Sequence, residues 1–225
     1  MRIFQDIPWP EAGPGEILEI LGYPANLAPG RVRTWVREGL ESVRERARPA
    51  AACRRVPIEL SGGRILVDGR LPLESKMLKR VFRPCSHALV FIATLGPGVD
   101  GLIAGTGEGR VSEAFVLDAI ASRMAEGVAD EVERELTGAL APGEGATLRY
   151  SPGYCDWPVD GQRMVFSILD GSSIGVSLTG HCLMQPRKSL SGIIGVGPRD
   201  QVAQTGNACS FCKRKDCEHR RSVMQ

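Results

Sequence analysis

Three patterns in the sequence predict an α+β domain. The strand-like segments 54–60 and 64–67 flank a Ser-Gly-Gly hairpin signal. Residues 88–94 form a short apolar run with valine and isoleucine, which is typical of a buried strand. Apolar residues recur at helical spacing over residues 31–48 and 112–136, so we expect two long helices that pack on the sheet.

Composition and charge exclude several classes of protein. The chain has 225 residues, of which 43% are hydrophobic, and a net charge of +2. This length is enough for one or one-and-a-half domains with a substantial core. The basic residues of the segment 213–221 lie among cysteines and form no concentrated basic face, so we expect no nucleic-acid partner. The N-terminus lacks an apolar signal region, and the apolar run 88–93 is too short to cross a bilayer, so we expect a cytoplasmic protein with no membrane partner.

The first half of the chain contains shorter elements. Residues 1–14 are rich in proline and glycine and predict an irregular arm, whereas residues 16–21 and 75–82 predict short helices. Gly96-Pro97-Gly98 joins the buried strand to a predicted helix at 99–104. Such a turn can bind an anion at a helix N-terminus, but this one has neither a dinucleotide-binding nor a P-loop spacing. We therefore favour a plain tight turn.

The second half predicts one further helix and three strands. Strands are expected at 147–150, 174–178 and 191–196, and a helix at 162–169. The acidic residues between Glu126 and Glu135 on the long helix are expected to form a solvated face. The patterns predict one domain over residues 15–197, followed by a cysteine-rich tail over residues 198–225.

Residues 149–158, Arg-Tyr-Ser-Pro-Gly-Tyr-Cys-Asp-Trp-Pro, predict a rigid, irregular loop. Pro152 and Pro158 fix their own φ angles, and Gly153 permits a turn that other residues avoid. One interpretation is a packed connection with aromatic anchors. The other is a binding site, because Arg149 offers a planar fork for a carboxylate and Tyr154 offers a stacking face.

The tail contains the spacing Cys209-x-x-Cys212-x-x-x-x-Cys217. Three thiols in a short, charged segment, without a secretion signal, favour metal ligation over disulfides or free thiols. A fourth ligand is needed. His219 would favour zinc, whereas Cys155 would favour an iron–sulfur cluster, and we expect Cys155. The other cysteines are Cys53, Cys85 and Cys182. We expect them to be small buried hydrophobic residues rather than ligands.

An ordered set of motifs resembles the activation domain of cobalamin-dependent methionine synthase. The motifs are Arg149-x-x-x-Gly153-Tyr154, Gln162 with the helix that follows it, Ile92-Ala93-Thr94-Leu95-Gly96, the helix after Arg110, Ile174-Gly175-Val176-Ser177-Leu178-Thr179 and Met184-x-Pro186-x-Lys188-Ser189-x-Ser191-Gly192. The resemblance covers roughly residues 15–197 and is closest to stand-alone activation-domain proteins. It implies a single α+β domain whose twisted, largely antiparallel sheet is flanked by helices. Cys155-Asp156-Trp157 and the cysteine tail depart from the domain that is fused to the synthase.

The resemblance also implies a function. It implies that Arg149, Gly153 and Tyr154 bind S-adenosylmethionine, and that the chain docks on a corrinoid-binding methyltransferase protein and helps to return inactive Co(II) cobalamin to the active state. An iron–sulfur cluster in the tail could pass the electron. The sequence has no hydrolase, zinc-protease or Cys–His constellation, so we expect an accessory, activating protein. The alternative is a non-catalytic binding or assembly module with a structural zinc site.

Overall fold

The computed structural model describes residues 1–5, 7–24 and 26–202. The expected metal ligands Cys209, Cys212 and Cys217, and their rival His219, lie outside these residues. Among the described residues the strands are β1 (Arg2–Phe4), β2 (Ala50–Ser61), β3 (Arg64–Val67), β4 (Leu71–Pro72), β5 (His87–Thr94), β6 (Glu144–Ala146), β7 (Ser177–Leu178), β8 (Met184–Gln185) and β9 (Ser189–Pro198). The α-helices are α1 (Pro14–Ile20), α2 (Gly30–Arg46), α3 (Lys76–Val81), α4 (Pro97–Gly107), α5 (Val111–Gly138), α6 (Gln162–Ile168) and α7 (Arg199–Val202).

The main sheet is antiparallel throughout, in the order β4-β3-β2-β5-β9-β6, with β1 also beside β2. The long strand β2 pairs with β1 through residues 51–53 and with β3 through residues 58–61, while β5 covers its other edge. β7 and β8 form a separate small hairpin. The predicted antiparallel α+β fold is therefore confirmed.

Two hydrophobic cores lie on opposite faces of the sheet. Alternate residues of a strand point to opposite faces, and Phe91 of β5 accordingly faces the core that contains α2 and α5, whereas Ile92 faces the core that contains α3 and α6. Close packing within the first core depends on Gly39 of α2, since a Cβ there would lie 2.7 Å from Ile120 Cδ1. The long helix α5 thus lies firmly against the sheet and α2.

Three local expectations were wrong. The N-terminal arm contains strand β1, which adds a short edge to β2. Only Tyr150 of the expected strand 147–150 forms a β-bridge, to Ile193, because the regular pairing with β9 lies earlier, in β6. Of the expected strand 174–178, only Ser177–Leu178 forms a strand, because the preceding residues Gly171–Ile174 form a 3-10 turn that Asp170 caps and that ends at Gly175 with φ +70°.

Backbone conformation and close packing require the two glycines of the turn Gly96-Pro97-Gly98. Gly96 has φ +81°, and a Cβ on Gly98 would lie 2.5 Å from the carbonyl oxygen of Arg46. The tight-turn interpretation accounts for both glycines through the close approach of α2.

The described chain continues beyond the expected domain end. α7 follows β9 directly and packs on β6, since a Cβ on Gly145 would lie 2.7 Å from Arg199 Cα. No helix in the described part of the chain is long and apolar enough to span a membrane.

Candidate functional site

The loop of residues 149–158 is a closed turn rather than an extended connection. Tyr154 N donates to Ser151 O at 3.1 Å, and Gly153 N donates to Trp157 O at 2.8 Å. Gly153 has φ +93°, and Cys155 adopts φ +55°, a left-handed conformation that is uncommon outside glycine. The predicted rigid geometry is present, and the strained Cys155 is held within it.

Asp156 fastens this loop to helix α3. Its carboxylate accepts hydrogen bonds from Ser75 Oγ, from Lys76 N at 2.8 Å and from Met77 N at 3.2 Å, so it caps the helix from outside. Desolvation acts to raise the pKa of Asp156, but the hydrogen bonds from Ser75, Met77 and Lys76 together lower it. Sequence analysis missed this role, because the two partners lie far apart in the chain.

Trp157 completes the anchoring of the loop. Its side chain is buried, and its indole ring packs against Gly161 so closely that a Cβ there would collide with it. The Cys155-Asp156-Trp157 sequence therefore contains one half-buried cysteine followed by two residues that fix the loop.

Arg149 points away from this loop, towards α5. Its side chain is only 8% exposed, and Nη2 donates to Glu126 Oε2 at 3.1 Å and to Asp130 Oδ1 at 2.9 Å. Nη1 lies 3.5 Å from Glu133 Oε2 and forms no hydrogen bond within the described part of the chain. The expectation of a solvated acidic face was therefore wrong for Glu126 and Glu133, which are partly buried against the guanidinium, whereas Asp130 is solvated as well as paired with Arg149.

Gly192 makes room for the Arg149 side chain. A Cβ on Gly192 would lie 3.2 Å from Arg149 Cγ and 2.7 Å from Phe91 Cε1. The glycine of the Lys188-Ser189-x-Ser191-Gly192 motif thus allows the arginine stem to cross β9 on its way to α5.

Lys188 of the same motif also docks on α5. Its Nζ donates to Asp118 Oδ1 at 2.7 Å and to Ser122 Oγ at 2.9 Å, and its side chain is mostly buried. An α-helix turns by about 100° per residue, so the α5 residues that meet Lys188 and Arg149 share one face. We call this the polar face of α5, and its residues are Asp118, Ser122, Glu126, Asp130 and Glu133.

The remaining motif residues join the elements around the loop. Ser191 Oγ donates to Gln162 Oε1 at 2.7 Å, which links β9 to α6. Ser189 Oγ lies 2.8 Å from Thr94 Oγ1 and 2.7 Å from Pro186 O, which links β9 to β5. Tyr154 is half-buried in the loop. The structure therefore holds Gly153 and Tyr154 within the loop, whereas the Arg149 side chain points away from them to α5.

Tyr150, which follows Arg149, points to the opposite face of the sheet. Burial, and then the neighbouring Cys155 and Cys85 thiols, raise the pKa of Tyr150 to about 12. Burial likewise raises the pKa of Cys85 to about 12, so this thiol stays protonated at neutral pH. Cys155 is the more accessible of the two cysteines beside Tyr150.

The described ranges contain no cluster of three or more His, Cys, Asp and Glu side chains that could hold a metal ion. A site built on Cys155 would therefore need the tail cysteines. Val202 is the last described residue, and its Cγ1 would lie 3.0 Å from a Cβ built on Gly197. The same Cβ would lie 3.1 Å from Cys85 Cα, so Val202 and Cys85 both pack against Gly197. The described chain thus ends beside Cys85, in the same hydrophobic core as Tyr150.

Comparisons with known proteins agree with the resemblance seen in the motifs. Residues 87–210, more than half of the chain, match the sequence model described as "Vitamin B12 dependent methionine synthase, activation domain". Cys212 and Cys217 lie beyond the matched region. A search of curated protein sequences gives no match.

Among solved structures, the fold is similar to that of a crystal structure of the MetH reactivation domain bound to AdoHcy. The TM-score is 0.56 at 18% sequence identity, and the similarity covers 77% of this chain and 68% of the other. At this identity the likeness concerns the fold.

Proposed function

The chain belongs to the family of the activation domain of vitamin B12-dependent methionine synthase, and from this premise we propose that it reactivates a corrinoid protein by reductive methylation. One electron reduces Co(II) to Co(I). Co(I) then takes a methyl group from the sulfonium of S-adenosylmethionine and leaves S-adenosylhomocysteine. An activating protein must therefore hold the methyl donor beside the partner's corrinoid and allow an electron to reach it.

The buried Arg149 supports S-adenosylmethionine as the methyl donor, and it is the observation that carries the proposal. Its Nη1 lies 3.5 Å from Glu133 Oε2 and forms no hydrogen bond within the described residues, and a ligand carboxylate would supply one. The ammonium and sulfonium groups of the same ligand would be stabilised by the carboxylates of the polar face of α5. S-adenosylmethionine carries one carboxylate, which matches the guanidinium, and two positive charges, which match the carboxylates of α5.

We assign the loop residues Gly153 and Tyr154 to the same ligand. Gly153 gives the turn its shape, and Tyr154 supplies a stacking surface for an adenine ring. The hydrogen bonds from Ser75, Lys76 and Met77 to Asp156 hold the loop in place before the ligand binds, which reduces the entropy cost of binding.

The electron would come through a metal centre in the tail. We assign Cys155, Cys209, Cys212 and Cys217 as ligands of an iron–sulfur cluster, with zinc and His219 as the alternative. Two observations support Cys155: it is the more accessible thiol beside Tyr150, and the described chain ends in the same hydrophobic core as Tyr150. Thiolate-only ligation suits iron–sulfur chemistry, and the cluster would supply the electron.

A titration of the protein with S-adenosylmethionine in a calorimeter tests the donor site. We expect binding by the wild-type protein and a loss of at least tenfold in affinity for Arg149→Ala. The matched control is Arg70→Ala, because Arg70 is an exposed arginine beside β4, remote from α5. Equal affinity of the wild-type protein and Arg149→Ala would remove Arg149 from the site.

A turnover assay tests the proposed reaction itself. The partner's corrinoid is prepared as Co(II) and mixed with the protein, S-adenosylmethionine and a reductant. We expect the absorbance to change to that of methylcobalamin, with one S-adenosylhomocysteine released for each corrinoid methylated. If the protein does not accelerate this conversion for any corrinoid protein encoded beside it, the proposed function is wrong.

A further inference from the structure

The charges around Arg149 do not balance. Its guanidinium carries one positive charge, whereas the surrounding side chains of Glu126, Asp130 and Glu133 carry three negative charges. We call these four side chains the Arg149 cluster, and together they have an excess of two negative charges. Arg149 is buried, and Glu126 and Glu133 are partly buried, so salt and water screen this excess less than they would at an open surface.

The other acidic residues of α5 are balanced, because each forms an ion pair with a cation of its own. These pairs are Glu113 with Arg110, Asp118 with Lys188, Glu131 with Arg134, and Glu135 with Arg2. The excess negative charge of the helix is therefore concentrated at the Arg149 cluster.

Methyl transfer changes the charge of the ligand at its sulfur atom. The bond between the sulfur and the methyl carbon breaks, its electron pair stays on the sulfur, and Co(I) of the partner supplies the electron pair of the new bond to the methyl group. The positively charged sulfonium of S-adenosylmethionine thus becomes the neutral thioether of S-adenosylhomocysteine. The carboxylate, the ammonium and the adenosine are the same in both ligands, so their contributions nearly cancel when the two affinities are compared.

The sulfur lies within reach of the electrostatic field of the cluster. Four single bonds of about 1.5 Å or slightly more join the carboxyl carbon to the sulfur, so the two atoms are at most about 6 Å apart. When the ligand carboxylate binds Arg149 Nη1, the sulfur is therefore within about 9 Å of that nitrogen. This distance is close to the Debye length of about 8 Å at physiological ionic strength, so the cluster distinguishes a charged sulfur from a neutral one.

We infer that the excess negative charge of the Arg149 cluster makes the site selective for S-adenosylmethionine over S-adenosylhomocysteine. This inference rests on the proposed function and deepens it, because it concerns the same ligand site. Glu126, Asp130 and Glu133 are the specificity-determining residues, and Glu133 lies nearest to Nη1, at 3.5 Å. Loss of the sulfonium charge weakens binding as soon as the methyl group has left, so the product is readily exchanged for a new donor.

Calorimetric titration of the full-length protein with each ligand separately tests this selectivity. At low ionic strength we expect the wild-type protein to bind S-adenosylmethionine about tenfold more tightly than S-adenosylhomocysteine. The preference should fall as salt is added, since salt screens the cluster. Sinefungin, which carries a protonated amine in place of the sulfonium, should bind as the donor does.

Glu133→Gln removes one of the two excess charges and keeps the shape of the side chain, so the preference should fall to about threefold. The matched control is Glu135→Gln, which makes the same change of charge about 160° around the helix from Glu133, where the carboxylate pairs with Arg2. It should keep the wild-type preference. Asp130→Asn, at a side chain that is 57% exposed, is a second variant that should keep the fold and lower the preference.

The outcomes separate this inference from the proposed function. If the wild-type protein binds S-adenosylmethionine but binds S-adenosylhomocysteine equally well, the selectivity is wrong and the proposed function stands. A preference that neither salt nor the variants at Glu133 and Asp130 reduce would also overturn the inference, because it would come from contact with the methyl group. An equal loss of affinity for both ligands in both variants would mean that these carboxylates shape the site without selecting by charge. If the wild-type protein binds neither ligand, the inference and the proposed function are both wrong.

Discussion

Asp156 accepts a hydrogen bond from Ser75 Oγ, and this contact pins the loop of residues 149–158 to the start of helix α3. The same carboxylate also accepts hydrogen bonds from Lys76 N and Met77 N, while Ser75 Oγ accepts one from Leu78 N at 3.0 Å. Asp156 and Ser75 therefore both accept hydrogen bonds from the first backbone donors of α3, and the Asp156 contacts join the loop to this helix.

Replacing Asp156 by Ala should destabilise the protein by about 1 kcal/mol, because it leaves backbone donors of α3 without an acceptor. Since folding lowers the pKa of Asp156, its contribution is present at pH values above the ordinary aspartate pKa and disappears as the pH falls through the lowered value. Urea unfolding at neutral pH and near pH 3 measures both effects. The wild-type and Asp156→Ala proteins should differ at neutral pH and converge in acid; a constant difference would contradict this role.

Gly192 and Gly105 form a matched pair for a packing test. Ala at 192 would press on the Phe91 ring and the Arg149 stem, so we expect a loss of about 1–3 kcal/mol in unfolding free energy. Ala at 105 has open space on helix α4, so we expect a gain of about 0.5–1 kcal/mol. Thermal unfolding followed by circular dichroism distinguishes the two, and similar effects from both would refute the packing argument.

The ion pair between Lys188 and Asp118 should couple the start of β9 to α5. Lys188 is mostly buried whereas Asp118 is 39% exposed, so solvent reduces the pair's strength. In a double-mutant cycle with Lys188→Met and Asp118→Asn, we expect a coupling of about 1–2 kcal/mol. Chemical denaturation of the four proteins gives this value, and strict additivity would mean that the pair contributes nothing.

Metal analysis after anaerobic purification tests the tail. We expect iron and sulfide in the wild-type protein, loss of both in Cys155→Ser, and unchanged absorbance in His219→Ala. Cys182→Ser is the control, because Cys182 is a buried free thiol that is not among the proposed ligands. A colourless protein that holds one zinc, lost on His219→Ala, would move the site to the alternative.

The sequence could predict those parts of the fold that have a local signal. Helices α2 and α5 carry periodic patterns, the β2–β3 hairpin carries a turn signal and strand β5 is a continuous apolar run, and each lies close to its expected position. Strand β1 lacks such a pattern, because three residues beside β2 depend on a partner elsewhere in the chain.

The candidate site was predictable only in part, for a similar reason. Arg149 was identified from its motif, but its partners depend on which face of α5 the loop meets. The spacing of Glu126, Asp130 and Glu133 places three carboxylates on one helix face, which was a usable signal for a buried cation. No local signal indicates that Asp156 would cap α3, since that contact joins segments far apart in sequence.

The position of β9 in the sheet has a consequence for how the protein is made. β9 lies between β5 and β6 and is the last strand of the described chain, with pairs as distant in sequence as Leu89 and Ile194. Until β9 has emerged from the ribosome, the apolar strand β5 presents an unpaired edge. Contacts of such long sequence separation form slowly, so the nascent chain passes through an aggregation-prone stage. We expect recombinant yield to respond to slower synthesis and to chaperones that shield an open sheet edge.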